Sequence, residues 1–268
     1  MARRLTTPLS AAQPEDGRMV WHVWGEPRTG ALPIVMLHGG SGSWTHWLRM
    51  LGPLTQAGHA VWALDLPGFG ASDPLPHQQD ADDMLPLLAA SLQHWLPGQA
   101  LQIMGFSLGG MTAALLAAAY PALVRQLVLV GPPGLGLRDK PLYRLKGGRH
   151  LAGSVEQLLC HQYNLAALML ADARQIDRAT LALHTANVQR DRLPRRRLAS
   201  TDILRQTLPR ITCPVQAVYG QEDVLYRGLW PQVAACFGGR LQLIAGAGHW
   251  VQYEQPGVFA EAVLPMLL

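Results

Sequence analysis

The sequence predicts an α/β fold, a mostly parallel sheet with helices on both faces and one helical insertion. Three observations predict it. Short, continuous apolar runs recur along the chain and each ends near Gly or Pro, as strands covered on both faces do. Helix-like segments separate these runs, and that alternation implies right-handed βαβ units in an open sheet. From about residue 134 to residue 209 the alternation breaks, and helical patterns run with almost no strand signal.

In chain order the strand candidates are "PIVMLHG" (33–39), "AVWALDLPG" (60–68), "LQIMGFS" (101–107), "LVLVGPP" (127–133), "VQAVYGQED" (215–223) and "LQLIAGAGH" (241–249). The segments "WTHWLRMLGPLTQAG", "ADDMLPLLAASLQHWL", "MTAALLAAAY" and "EQPGVFAEAVLPMLL" read as the covering helices. Within the insertion, "SVEQLLCHQYNLAALMLA" and "IDRATLALHTANVQRDRL" read as two more. The division expected is a core of residues 1–133 and 210–268, interrupted by an insertion over 134–209. A chain of 268 residues suits such a large single core with one insertion.

Composition narrows the function classes. With 49% apolar and 15% charged residues the chain can bury a sizeable core, which excludes disorder. The net charge is +4, and much of it lies in "RDRLPRRRLAS" (190–200), read as a solvated helix face, the alternative being attraction of an anionic substrate. No basic stripe interleaved with aromatics is present, so nucleic acid is set aside as a partner. Cys160, Cys213 and Cys236 are widely spaced with no CxxC pair, which argues against zinc or a disulfide framework. No cofactor or metal is expected. No apolar stretch of signal-peptide length opens the sequence and no run of eighteen apolar residues occurs. The expectation is a cytoplasmic protein with a small-molecule substrate and no membrane partner; the oligomeric state is left open.

Ser107 is where chemistry enters. It stands in Gly105-Phe106-Ser107-Leu108-Gly109, between a strand candidate and a helix candidate. The G-x-S-x-G pattern there makes a sharp strand-to-helix turn with the serine at its apex, exposed beside a helix N-terminus that favours negative charge. A serine needs a base to take its proton and an acid to orient that base. Among ten histidines, His249 in "AGAGHWVQYEQP" follows the last strand with small neighbours. His38, opening "HGG", reads as structural, and His22, His46, His59, His77, His94, His150, His161 and His184 lack comparable context. Asp223, after "VQAVYG", is the preferred acid because its short side chain suits a fixed bond to Nδ1; Glu222 is the runner-up. Asp65 precedes the serine and reads as tying down its own loop. Donors for a tetrahedral oxyanion are expected from the Gly40 and Leu108 N–H groups.

These features resemble the α/β-hydrolase superfamily over essentially the whole chain. The order Ser107, Asp223, His249 is that superfamily's order, and "DLPGFGAS" is similar to its usual turn after an early strand. The resemblance implies an eight-stranded, mostly parallel sheet with a helical cap, and 134–209 falls where the cap usually does. Serine at the elbow disfavours the dehalogenase and epoxide hydrolase branches, which use aspartate there. "LHGG", "GPPGLG" and "GHWVQYEQP" resemble the meta-cleavage product hydrolases, which cut a carbon–carbon bond beside a ketone. The likeness includes Trp250 after the histidine. Two departures stand out: Phe106 replaces the asparagine that family carries before its nucleophile, and His184 stands where a cap arginine is expected, with Arg190 six residues on. Phe106, Trp250, His184 and Arg190 are therefore the expected substrate contacts. The leading expectation is a carboxylic-ester hydrolase, thioesters included, ahead of the carbon–carbon hydrolase and of a non-catalytic hydrolase-fold receptor.

Overall fold

The apolar runs become the inner strands of one sheet. The computed structural model describes residues 2–9, 17–28, 30–77, 80–138, 140, 142–148, 151, 153–193 and 195–268; His150 lies outside them. The strands are β1 (Arg3–Pro8), β2 (Arg18–Trp24), β3 (Ile34–Leu37), β4 (Val61–Asp65), β5 (Leu101–Phe106), β6 (Val124–Val130), β7 (Val215–Gly220) and β8 (Leu241–Ile244). Their order across the sheet is β1-β2-β4-β3-β5-β6-β7-β8. From β4 to β8 every neighbouring pair is parallel. The strands β1 and β2 pair antiparallel with each other, and β2 pairs antiparallel with β4. Neither was among the strand candidates: Arg3–Pro8 exposes most of its residues and offers no continuous apolar run, and the largely buried Arg18–Trp24 has its apolar run broken by His22.

The covering helices are α1 (Leu51–Gln56), α2 (Leu85–Trp95) and α3 (Leu108–Ala119), then α4 (Val155–Asn164), α5 (Arg178–Gln189) and α6 (Ile203–Thr207), and last α7 (Trp230–Cys236), α8 (Val251–Glu254) and α9 (Pro256–Val263). A 3-10 turn, Trp44–Met50, leads into α1. Alternate residues of the parallel strands feed two apolar layers. Val35, Leu37, Ile103 and Leu129 pack with residues of α2, α3 and α7 on one face. Met36, Met104, Phe106 and Val130 pack with Trp47, Met50, Tyr253 and Phe259 on the other.

Within 134–209 the described residues form helices and turns and no strand. The helix α4 starts on Ser154, whose hydroxyl accepts the Gln157 N–H, and α5 starts on Asp177, which accepts the Thr180 N–H. Both caps are of the Ser/Asp kind that marks a helix start in sequence. The short α6 sits differently. Leu204 N–H bonds Gly134 O at 2.8 Å, and Leu204 is fully buried in the α2–α3 layer. Its packing is thus with the core, although its numbers fall in the expected insertion. Among the described residues no helix is long and apolar enough to cross a membrane.

Candidate active site

The chain turns from β3 to β4 on one side and to β5 on the other, so a crevice opens at the carboxyl ends of β3 and β5. Leu37 pairs with Gly105, which brings the loop after β3 beside the turn after β5. Ser107 occupies that turn with φ 52° and ψ −118°, a conformation costly for any residue with a side chain. The surrounding glycines make it possible. A Cβ on Gly105 would stand 2.4 Å from Gly109 O, and one on Gly109 would stand 2.4 Å from both Leu37 O and His38 O. The strand, the helix and the neighbouring loop therefore touch backbone to backbone, and Ser107 is held by its N–H on Val130 O at 2.8 Å.

Ser107, His249 and Asp223 lie in one hydrogen-bonded line. The Asp223 carboxylate is fully buried and its Oδ2 accepts from His249 Nδ1 at 2.8 Å. A carboxylate only accepts, so the imidazole proton sits on Nδ1 and Nε2 presents a lone pair. Ser107 Oγ is 2.9 Å from that Nε2, placed to donate its proton. The second Asp223 oxygen accepts the Leu225 N–H at 2.9 Å, which stops the carboxylate from rotating away. Glu222 points elsewhere and pairs with Arg227 at 3.4 Å.

Behind His249, the buried Glu254 carboxylate accepts three N–H bonds, from Gly248 at 2.7 Å, Ala171 at 3.0 Å and Asp172 at 2.7 Å. Trp250 N–H bonds Met169 O at 2.8 Å. The histidine loop and the middle of the insertion are thereby stitched together.

A cleft of about 370 Å³ contains Ser107, His249, Gly40, Leu108 and Phe106. Gly40 and Leu108, the expected N–H sources, both line this cleft. Leu168, Met169 and Val188 from the insertion make its far wall apolar. His184 also lines it, buried, with its pKa lowered to about 4 by burial and by the neighbouring His161 ring 5.6 Å away.

Two expected contacts are placed elsewhere. Trp250 is fully buried, stacked on Tyr253 with centroids 3.9 Å apart, and its Nε1 donates to His46 O at 2.9 Å. The backbone turn after His249 sends the next side chain into the core. Arg190 is exposed at the end of α5 and lines a separate cleft with Trp44 and Asp65. Among the described residues, the arginine lining the Ser107 cleft is Arg196. Its Nη2 donates to the buried Asp191 carboxylate, and its Nη1 reaches Ser41 Oγ at 3.4 Å. The run read as a solvated face thus carries one arginine inward, which only the chain reversal after α5 decides.

His46 also lines the cleft, unforeseen because it lies in the Trp44–Met50 turn with no motif around it. His38 is structural, its Nε2 accepting the Leu66 N–H at 2.9 Å. Asp65 accepts the N–H groups of Trp44 and Ala71 and so ties down the loop that follows it.

Comparison with known proteins fits this geometry. The model of the alpha/beta hydrolase fold family matches residues 33–151. The 2-hydroxy-6-oxo-6-phenylhexa-2,4-dienoate hydrolase of Comamonas testosteroni is 28% identical over 253 residues, covering 87% of each chain. The 2-hydroxy-6-oxononadienedioate/2-hydroxy-6-oxononatrienedioate hydrolase of Cupriavidus pinatubonensis is 28% identical over 261 residues, 89% of this chain and 87% of the other. A thermophilic esterase from Thermogutta terrifontis superposes with a TM-score of 0.70 at 19% identity, covering 99% of this chain and 98% of the other, a likeness of fold.

Proposed function

We propose that this chain of α/β-hydrolase fold is a serine hydrolase of carboxylic esters, thioesters included, working through an acyl-enzyme on Ser107. The observation that carries the reading is the line Asp223–His249–Ser107, with both gaps at hydrogen-bond length and its serine in a cleft. His249 Nε2 takes the Ser107 proton as Oγ attacks the substrate carbonyl, and Asp223 stabilises the imidazolium that forms. The Gly40 and Leu108 N–H groups receive the oxyanion, aided by the N-terminus of α3. Collapse expels the alcohol or thiol, which takes its proton from His249. Water then repeats the sequence in reverse and frees the acid. Residues of 134–209 act as a cap whose Leu168, Met169 and Val188 form the acyl wall.

A second reading is carbon–carbon cleavage of ring-fission dienones, favoured by the names of the two relatives and by the presence of Arg196 in the cleft. Ester cleavage is preferred because Arg196 is already compensated by Asp191 and Phe106 puts an apolar ring beside the nucleophile. A delocalised anion with a carboxylate would meet little uncommitted charge there. Fluorophosphonate treatment should label Ser107, and Ser107→Ala should lose ~10³-fold or more in activity with the fold intact. With the same enzyme, kcat/KM on p-nitrophenyl esters should exceed that on a 2-hydroxy-6-oxo-dienoate. A dienone preference above ~100-fold, about 2.7 kcal/mol, overturns the ester reading in favour of the second.

A further inference from the structure

The helix α4 is turned with its polar side inward and its apolar side outward. Its sequence, VEQLLCHQYN, sets Val155, Leu158 and Leu159 on one side and Gln157, His161 and Asn164 on the other, each set spaced by three or four residues. Gln157 and His161 are buried, whereas Val155 is 68% and Leu159 59% exposed. Specific bonds hold this orientation. Gln157 Nε2 donates to Gly148 O at 3.2 Å, and its Oε1 accepts the Gly153 N–H at 3.1 Å. His161 Nδ1 lies 2.8 Å from Thr185 Oγ1 of α5. Asn164 accepts the Lys146 N–H at 2.7 Å and donates to Lys146 O at 2.9 Å. Rolling α4 to bury its leucines would break all of these bonds, so the apolar stripe stays outward.

The stripe belongs to a larger patch. Among the described residues nine large apolar or aromatic side chains are exposed, and six of them lie from Leu142 to Tyr163. Leu142 and Leu145 precede α4 in the chain, and the bonds of Lys146 and Gly148 to Asn164 and Gln157 bring that segment alongside the helix. Apolar side chains gathered on one face mark an interaction surface. Its charge says with what. Lys140, Arg144 and Lys146 are exposed beside these apolar residues, and Lys146 Nζ sits 4.1 Å from the centre of the Tyr163 ring. Between Asp139 and Glu156 the sequence carries four Lys or Arg and no acid. A second copy related by a two-fold axis would set this basic run against itself. An anionic phospholipid surface accepts both parts: the leucines enter the acyl boundary while the lysine and arginine heads stay at the phosphates. The patch also reaches the catalytic cleft. Leu145 is 51% exposed and, with Tyr143 and Asn164, lines the cleft that holds Ser107.

We infer that the outer face of the insertion, formed by α4 with Lys140, Leu142 and residues 144–146, docks on an anionic phospholipid surface, and that amphiphilic esters enter the Ser107 cleft from it. The docking stands on the surface alone, and the entry of esters rests on the serine-hydrolase reading. A face that lies on a bilayer needs no spanning helix, so the lack of one, from which no membrane partner was expected, does not bear on it.

The test co-sediments the Ser107→Ala chain with vesicles of equal parts phosphatidylglycerol and phosphatidylcholine, and with vesicles of phosphatidylcholine alone. Partitioning should be ~10-fold or more stronger onto the anionic vesicles and should fall as salt is raised. Leu158→Ser with Leu159→Ser should weaken it ~10-fold or more. Lys140→Glu with Arg144→Glu should abolish the preference for anionic lipid. These four side chains are exposed and do not line the cleft. With Ser107 in place, both double variants should keep the parent's kcat/KM on p-nitrophenyl acetate, while cleavage of p-nitrophenyl laurate carried in the anionic vesicles falls with binding. Binding to neither vesicle overturns the inference, and sedimentation equilibrium then tells a second copy from another protein as the occupant. So does a Leu158→Ser, Leu159→Ser chain that binds as the parent does, the mark of charge attraction without a docked face. Laurate cleavage that persists when binding is lost overturns the entry of esters from the surface. Vesicle binding with no cleavage of either ester by the parent would instead fell the serine-hydrolase reading and leave the docking in place.

Discussion

Asp223 and Glu222 are neighbours in sequence whose side chains part company. Asp223 N–H returns to Gly220 O at 3.0 Å, a tight turn that aims the carboxylate inward at His249, while Glu222 faces outward to Arg227. If Asp223 fixes the His249 tautomer, Asp223→Asn should lower kcat on the order of 10³- to 10⁴-fold, since the amide favours the wrong tautomer. Glu222→Gln should change kcat less than about twofold, as surface substitutions do. Steady-state kinetics with both variants decides, and the opposite ranking would move the acid to Glu222. The pair also marks what was legible at this scale. Ser107, Asp223 and His249 could be nominated because each ends a strand run, where backbone topology alone brings side chains together. Trp250, Arg190 and Arg196 could not be sorted that way. Whether a side chain next to a turn enters the cleft or the core depends on a local reversal with no sequence period. The place of His46 was hidden for a related reason, because its ring is set by the approach of the Gly39 N–H.

The turn between β5 and α3 shows the same logic for an element. Strands β3 to β7 were readable because burial on both faces selects continuous apolar runs, and β8 by its short apolar run alone, whereas β1 is an exposed edge strand and β2, though largely buried, has its apolar run broken by His22. The glycines at the elbow were readable too, but the sequence does not say what each one clears. Gly109 clears most, since its Cβ position overlaps two backbone oxygens of the adjoining loop, which no rotamer change can relieve. Gly109→Ala should therefore force α3 away from β3 and cost several kcal/mol, at the high end of single substitutions. Ala113→Gly, in the buried middle of the same helix, should cost about 1 kcal/mol from propensity with a small cavity term. Urea unfolding of the two variants checks this, and a Gly109→Ala protein as stable as the parent would show that the backbone approach is looser than the distances imply.

At the scale of the whole molecule, the cleft's neutral histidines link the fold to pH. The pKa of His184 is about 4 in the folded protein, against an ordinary value of 6.5, chiefly because burial disfavours its charged form and secondly because His161 is near. The pKa values of His46 and His38 are lowered in the same direction, again mainly by burial. A base whose pKa is depressed on folding binds fewer protons folded than unfolded between those two values. Stability therefore rises with pH across that window. The contribution is fully present above about pH 6.5 and is lost as pH falls towards 4. Asp65 works in a lower range, because its pKa is held below 3.8 despite burial, by the nearby His22 and His38 rings and by bonds from the Ala71 and Trp44 N–H groups. Its contribution is lost only as pH falls below the ordinary aspartate value, so it does not confuse a measurement at pH 5. For His184 alone the loss between pH 7 and pH 5 is about 2 kcal/mol. Urea unfolding of the parent and of His184→Phe, which keeps a ring but cannot titrate, should give free energies whose difference shifts by about that amount towards the variant over those two pH units. Parallel pH curves for the two proteins would mean that the His184 ring takes up its proton as readily folded as unfolded. The cleft wall at His184 would then be open to water, and burial would not be what keeps that ring neutral.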